Sequence, residues 1–130
     1  MNLTALTVGG LAGIVMATTS GWLITGRIFH RFQKSTPATW RAENWRQHAQ
    51  AVAWAALAGM AIGLLETRMA WVQDALSAAG FATLVWVPLG AVIATLATYI
   101  NVHRAVIAGL LLEWWVFALG VSLAAHRWAH

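Results

Sequence analysis

The sequence has no cysteine, and charged residues make up only 9% of its 130 positions. The absence of cysteine excludes disulfides, zinc sites built on cysteine and cysteine nucleophiles. Soluble domains carry roughly 25% charged residues, so these side chains are too few to cover a globular surface in water. The chain has instead a hydrophobic fraction of 60% and nine tryptophans, a residue enriched at membrane interfaces. The composition predicts an integral membrane protein.

Long uncharged segments divide the sequence into four predicted membrane-spanning helices. A helix needs about 20 apolar residues to cross a bilayer, and charge is absent from 1–26 and again from 75–102. Basic residues follow the first run rather than precede it, which favours a retained helix over a cleaved signal peptide. Pro88 is expected to kink the third span. The spans expected within one all-α transmembrane domain, 1–130, are about 3–25, 47–66, 76–100 and 104–125.

Basic residues are concentrated in two of the loops between these spans. Six of the eight lie in the first and third loops: Arg27, Arg31, Lys34, Arg41, Arg46 and Arg104. By the positive-inside rule these loops are cytoplasmic, and both chain termini lie outside. The net charge of +4 therefore predicts contact with anionic lipid, in a bacterial inner membrane, rather than binding to nucleic acid.

A polar strip marks the start of the second span. Arg46, Gln50 and Trp54 recur at helical spacing and fall on one face. Polar groups are costly in a membrane unless they have partners, so the strip predicts a place where the bundle holds a polar ligand. Arg46 can bind a carboxylate through two parallel hydrogen bonds, and Gln50 lies one turn further on. The alternative is an arginine that reaches the lipid headgroups and an amide that joins two helices.

The same segment resembles the second-helix motif of the MAPEG family, the membrane-associated proteins in eicosanoid and glutathione metabolism. That motif is roughly aromatic-Arg-x-(Gln/His)-x-Asn-x-x-Glu-Tyr-x-Pro, and residues 45–56 here are WRQHAQAVAWAA. Three positions match the motif: Trp45, Arg46 and His48. Gln50 and Trp54 stand where the motif has Asn and Tyr. Ala53 and Ala56 stand where it has Glu and Pro.

This resemblance implies a homotrimer that binds glutathione, or a similar anionic cofactor, between subunits on the cytoplasmic side. It implies that Arg104, at the start of the fourth span, stabilises the glutathione thiolate, as a nearby guanidinium would. The other cofactor-binding residues are expected to be Arg27, Arg46, His48, Gln50, Trp54 and Tyr99. The implied reaction is conjugation, or peroxide reduction, of a lipophilic molecule that arrives from the bilayer. An Arg104 that only anchors the helix at the lipid phosphates is the alternative.

Two other functions fit the sequence. A non-catalytic subunit of a larger membrane complex would explain the small size, the short loops and the missing motif glutamate at Ala53. A heme-binding membrane isomerase is the second, because His30, His48 and His103 should lie near the cytoplasmic surface and imidazole ligates iron. Their spacing matches no compact ligand motif, and we assign no metal site.

One acidic residue lies deep in the fourth span. Glu113 is nine residues after Arg104, which places the two on opposite faces and about 13.5 Å apart along the helix. We expect a protonated Glu113 that hydrogen bonds to a backbone carbonyl or to a threonine such as Thr18, and a proton relay is the alternative. Elsewhere, Gly59 and Gly63 form a GxxxG pattern that predicts close packing with another helix.

Overall fold

A computed structural model describes residues 2–29, 32, 44–99 and 102–129 of the chain. These residues form four helices that are long and apolar enough to cross a membrane, which confirms the predicted all-α architecture. Helix α1 continues directly into a π-helix. The helices are α1 (Leu3–Ser20, with the π-helix Gly21–Ile28), α2 (Trp45–Glu66), α3 (Ala75–Tyr99) and α4 (Arg104–Ala129).

Polar caps determine where the helices begin. Asn44 and Gln47 form a capping box at the start of α2: the Asn44 side chain accepts from the Gln47 N–H at 3.0 Å, and the Gln47 side chain accepts from the Asn44 N–H at 3.3 Å. Asn2 caps α1 by accepting from the Ala5 N–H at 3.1 Å. Helix α3 continues through Pro88, and α4 extends past the predicted end near 125.

Glycine allows α1 and α2 to touch backbone to backbone. A Cβ atom on Gly9 would lie 2.3 Å from the Gly59 carbonyl oxygen, and one on Gly13 would lie 2.4 Å from the Ala55 carbonyl oxygen. A Cβ atom on Gly63 would lie 2.7 Å from the Ala5 carbonyl oxygen. The GxxxG pattern therefore packs α2 against α1, as expected, and the pairing of low with high residue numbers makes the two helices antiparallel.

Helix α4 is central to the bundle. It packs against α1, against α3 and, less extensively, against α2, whereas α2 and α3 hardly touch. The hydrophobic core contains Ala55, Ile62, Val72, Ala78, Phe81, Ala82, Phe117, Ala118 and Val121. Apart from Ala55, which lies at the middle of α2, these residues belong to the half of the bundle that contains Glu66, the α2–α3 loop and the end of α4.

The two ends of the bundle differ in character. The chain termini meet at one end, where the Asn2 side-chain amide donates to the Ala129 carbonyl at 3.3 Å. We call this the closed end, because Glu66 and Ser122 are fully buried there. We call the other the cationic end, because Arg27, Arg46 and Arg104 lie on the helix turns that reach it.

Candidate functional site

The predicted polar strip of α2 faces away from the other helices of the chain. Arg46, His48 and Gln50 are exposed, and Trp54 keeps 69% of its surface accessible. The Arg46 guanidinium lies over the Trp45 ring, 5.7 Å from its centroid. The strip therefore does not face the other described helices of its own chain, because α2 turns its glycine face toward α1 instead.

The remaining predicted site residues also lie at the surface of the cationic end. Arg104 is exposed at the start of α4, and Tyr99 is 85% exposed at the end of α3. Arg27 lies over the Trp22 ring, 4.9 Å from its centroid. Among the described residues, no hydrogen bond or ion pair joins these side chains to the α2 strip. Their roles in cofactor binding stay predictions.

The histidines predicted for a heme site are not gathered by the described residues. His30 lies outside them. The His103 Nδ1 accepts a hydrogen bond from the Ala105 N–H at 3.1 Å, and its ring stacks on Phe32 with centroids 4.8 Å apart. His48 is exposed on α2. Within the part of the chain that the structure describes, no three metal-ligating side chains form a group.

A buried hydrogen-bonded cluster at the closed end was not anticipated from the sequence. Glu66 and Ser122 are both 0% exposed. The Ser122 hydroxyl contacts a carboxylate oxygen of Glu66 and lies 2.9 Å from the Ala78 carbonyl oxygen. One serine thereby links the end of α2, the start of α3 and α4. The signal that was available in the sequence is the pair Ser122 and His126, which are four residues apart on α4 and therefore on one face of that helix.

A cavity of about 490 Å³ lies beside this cluster. Its walls come from the loop after α2 and from one residue of α4: Thr67, Arg68, Met69, Ala70, Val72, Gln73 and His126. His126 is one helical turn from Ser122 and close enough to Glu66 for their charges to interact. The imidazole therefore lines the cavity one helical turn from the buried serine.

The loop beneath this cavity ends in a charged helix cap. Asp74 accepts hydrogen bonds from the backbone N–H and the hydroxyl of Ser77, at 2.7 and 2.8 Å. These two bonds lower the pKa of Asp74, because they stabilise the ionised carboxylate. A negative charge at the first turn of α3 also interacts favourably with the positive end of the helix dipole.

Glu113 has a specific partner within the bundle. The Thr25 hydroxyl, in the π-helix that follows α1, donates to the Glu113 carboxylate. The partner is therefore Thr25 and not Thr18, whose hydroxyl donates to the Ile14 carbonyl of its own helix at 2.8 Å. Gly21 makes room for the contact, since a Cβ there would lie 3.2 Å from Glu113 Oε1.

Thr25, in the π-helical turn, forms a different kind of hydrogen bond from the threonines of the α-helices. The threonines that donate to a carbonyl three or four residues back in their own helix are Thr7, Thr18, Thr19, Thr83, Thr95 and Thr98. Thr25 donates to another helix. π-Helical turns inside longer helices are rare and frequently occur at functional sites.

An apolar groove runs between α3 and α4. It measures about 440 Å³ and is lined by Thr83, Trp86, Leu111, Leu112 and Trp115. The two indole N–H groups are already used: Trp86 donates to the Leu111 carbonyl at 2.9 Å, and Trp115 donates to the Thr83 hydroxyl at 3.2 Å. The lining of the groove is therefore apolar, as in a binding site for a lipophilic molecule.

Comparison with protein-family models, with curated proteins and with solved structures finds no match for this chain. The likeness of residues 45–56 to the MAPEG motif therefore stays a resemblance of one segment. The described residues contain three polar regions: the exposed strip at the cationic end, the Thr25–Glu113 contact and the buried cluster at the closed end.

Proposed function

We propose that this protein binds an anionic small molecule, glutathione or one of similar chemistry, at its cationic end, in a site completed by another copy of the chain. The observation that supports this proposal is the outward-facing strip of Arg46, Gln50 and Trp54. In a membrane helix such a strip is costly unless it is covered. A neighbouring copy would cover it, and a trimer is the arrangement that the resemblance implies.

The side chains of the strip suit a ligand with carboxylates and a thiol. Arg46 would hold a carboxylate through two hydrogen bonds, with Gln50 donating one turn further along α2. Arg104 would hold the thiol as thiolate, the reactive form, because its guanidinium keeps its charge in a half-buried place. The thiolate would then form a C–S bond with an electrophilic carbon of a lipophilic molecule, and the bond from that carbon to its leaving group would break, so that the group departs as an anion. The groove between α3 and α4 offers such a molecule an apolar entry from the bilayer.

The distribution of basic residues also supports an orientation. Arg27, Arg46 and Arg104 belong to the same end of the bundle, so by the positive-inside rule we propose that this end is cytoplasmic. The closed end, with both chain termini, would then lie outside. A tag added to either terminus should therefore be accessible only from outside intact cells.

Glutathione binding tests the proposal directly. The protein, purified in mild detergent, should gain thermal stability with glutathione, by about 1.4 kcal/mol at a concentration tenfold above Kd. Arg46→Ala and Arg104→Ala should lose this gain. Arg127→Ala is the matched control, because Arg127 is exposed on the last turn of α4, at the other end. No stabilisation of the wild type at millimolar glutathione would overturn the proposal.

The same outward strip is compatible with a second function, a non-catalytic subunit whose strip is covered by a different protein. Mild solubilisation followed by affinity purification separates the two. A stoichiometric foreign partner, together with no response to glutathione, would favour the subunit. A homo-oligomer that is crosslinked through a cysteine introduced at Gln50 would favour the binding protein.

A further inference from the structure

We propose that Glu113 is a proton donor within the membrane: its carboxylic acid presents an O–H group, beside Gly21, to lipophilic molecules that carry a hydrogen-bond acceptor such as a carbonyl oxygen. The site is supported by the bond from Thr25, the depth of Glu113 in α4 and the open space beside Gly21. The inference is independent of the proposed glutathione site, because it uses none of its residues and holds whether or not glutathione binds.

The bond from Thr25 assigns a role to each carboxyl oxygen of Glu113. The Thr25 hydroxyl is the donor, and Glu113 Oε2 is the acceptor. Among the residues that the structure describes, no other hydrogen bond or ion pair reaches Glu113. A neutral carboxylic acid accepts through its carbonyl oxygen and donates through its O–H group. Oε2 therefore acts as the carbonyl oxygen, and Oε1 carries the proton.

The depth of Glu113 favours the neutral acid. It lies nine residues after Arg104, about 13.5 Å along α4 from the start of the helix. An ionised side chain at such a depth is costly and usually pairs with an opposite charge. The partner found here, the Thr25 hydroxyl, is neutral. Near neutral pH we therefore expect the uncharged carboxylic acid, which costs far less in hydrocarbon than a carboxylate.

The elements packed against α4 supply no cation that pairs with Glu113 among the described residues. Helices α1 and α3 contain no charged side chain. The π-helix contains Arg27, whose guanidinium lies over the Trp22 ring. The charged or titratable side chains of these elements and of α4 itself are Arg27, Arg46, His48, Glu66, Tyr99, Arg104, Glu113, His126 and Arg127.

Open space lies next to the oxygen that carries the proton. A Cβ atom on Gly21 would lie 3.2 Å from Glu113 Oε1 and 3.9 Å from the carboxyl carbon. Apart from neighbouring residues of its own helix, no other described residue has an atom within 4 Å of that position. Glu113 and Thr25 are both only half-buried. A molecule dissolved in the bilayer can therefore reach Oε1 where the glycine lacks a side chain.

The carbodiimide N,N′-dicyclohexylcarbodiimide is a reactive probe of the ligand class, because it is lipophilic and its nitrogens accept a proton. The acid proton moves to one nitrogen, Oε1 bonds to the central carbon of the reagent, and one C=N double bond becomes a single bond. The acyl group then migrates from Oε1 to the other nitrogen, so that the acyl C–O bond breaks and an acyl C–N bond forms. The product, an N-acylurea, adds the whole mass of the reagent to Glu113.

Labelling of the full-length protein in lipid vesicles tests the proposal. Near neutral pH the carbodiimide should modify Glu113, and Glu113→Gln should lose the label. Asp74 is the internal control, because it lies outside the spans and its bonds from Ser77 lower its pKa and keep it ionised. Fragment masses locate the label in the wild type, so the result does not depend on whether a variant folds. An unmodified Glu113, or equal modification of Asp74, would overturn the proposal.

Competition and crowding test the ligand class and the opening at Gly21. A long-chain methyl ketone has an acceptor but cannot form the adduct, so it should slow the labelling several-fold, whereas an alkane of equal length should not. Gly21→Ala should also slow labelling several-fold by crowding Oε1. Gly80→Ala is the matched control, since a Cβ at Gly80 meets nothing within 4 Å. A ketone without effect, or equal rates in the two variants, would contradict the proposal.

Infrared spectroscopy tests the role of Thr25. Carbon-13 labelling of glutamate restricts the labelled carboxyl bands to Glu43, Glu66 and Glu113, and the band lost in Glu113→Gln belongs to Glu113. In Thr25→Val its C=O stretch should move to higher frequency, because the carbonyl oxygen loses its donor. Thr18→Val should leave the band in place, since Thr18 bonds within its own helix. An unmoved band in Thr25→Val would contradict the assignment of Oε2.

Discussion

The two ends of the bundle place polar side chains in opposite ways. At the closed end, Glu66 and Ser122 lie inside, and a single hydroxyl links three helices. At the cationic end, Arg46 and Gln50 lie on the outer face of α2. Both ends are built from the same apolar helices, so the difference comes from packing. Most residues of the hydrophobic core lie in the half near Glu66, whereas α2 turns its polar strip away from the other described helices.

The buried polar groups of the closed end stabilise the single chain, whereas the exposed polar groups on the outer face of α2 are available to a binding partner. Removing an inward polar group should weaken the isolated chain. Removing an outward one should leave the isolated chain unchanged and weaken only what it binds. Both effects can be compared by measuring the free energy of unfolding in mixed micelles.

The largest effect is expected where helices meet by backbone contact. Gly59→Val should prevent native packing of α1 on α2, because a Cβ at Gly59 already lies 2.1 Å from the Gly9 carbonyl oxygen. We expect a loss of about 3 kcal/mol or more in the free energy of unfolding. Gly80→Ala is the matched control, since a Cβ at Gly80 meets nothing within 4 Å. Equal losses in the two variants would contradict the described packing.

Polar groups at the two ends should respond differently to truncation. Ser122→Ala should lower the free energy of unfolding by about 1–3 kcal/mol, because Glu66 and Ala78 lose the buried hydroxyl that both of them contact. Gln50→Ala should change it by less than about 0.5 kcal/mol in the absence of ligand, since its side chain is exposed. A large loss in Gln50→Ala for the monomer would remove the distinction between the ends.

The Thr25–Glu113 contact should have an intermediate effect. Thr25→Val keeps the side-chain shape but removes the donor to Glu113, and a loss of about 1 kcal/mol is expected in the free energy of unfolding. Thr18→Val is the control, because the Thr18 hydroxyl bonds only within its own helix. If both variants unfold alike, the interhelical bond contributes nothing specific.

The smallest effect is expected at the exposed cap of α3. The pKa of Asp74 is lowered in the folded chain by its bonds from Ser77. Its contribution to stability is therefore complete above the unfolded pKa, about 3.9, and is lost as pH falls through the lower folded pKa. Asp74→Asn keeps a capping side chain, so wild type and variant should differ slightly near neutral pH and converge in acid. Ser77→Ala should show the same convergence.

Most of the architecture was predictable because it follows from hydrocarbon length and helix caps. Uncharged runs near 20 residues must span, so the four helices lie close to the predicted 3–25, 47–66, 76–100 and 104–125. The GxxxG pattern indicated a close helix contact for the same kind of reason, since only glycine lets two backbones approach so closely.

The positions of the polar side chains were harder to predict. Helical spacing put Arg46 and Gln50 on one face, but spacing alone does not say which face of α2 meets α1. The glycines occupy that contact and turn the strip outward. The sequence placed Glu113 deep in the fourth span, yet its partner depended on the π-helix, which carries Thr25 rather than Thr18 toward α4.

The sequence by itself determined that this is a helical membrane protein with a cationic end, because span length and charge distribution are local properties of the chain. Only the tertiary structure decided which polar groups are enclosed. Glu66, Ser122 and Ala78 belong to three helices, and 44 residues separate Ser122 from Ala78. Their contact depends on how whole helices cross, which no local sequence pattern specifies. That crossing buries the polar side chains of the closed end.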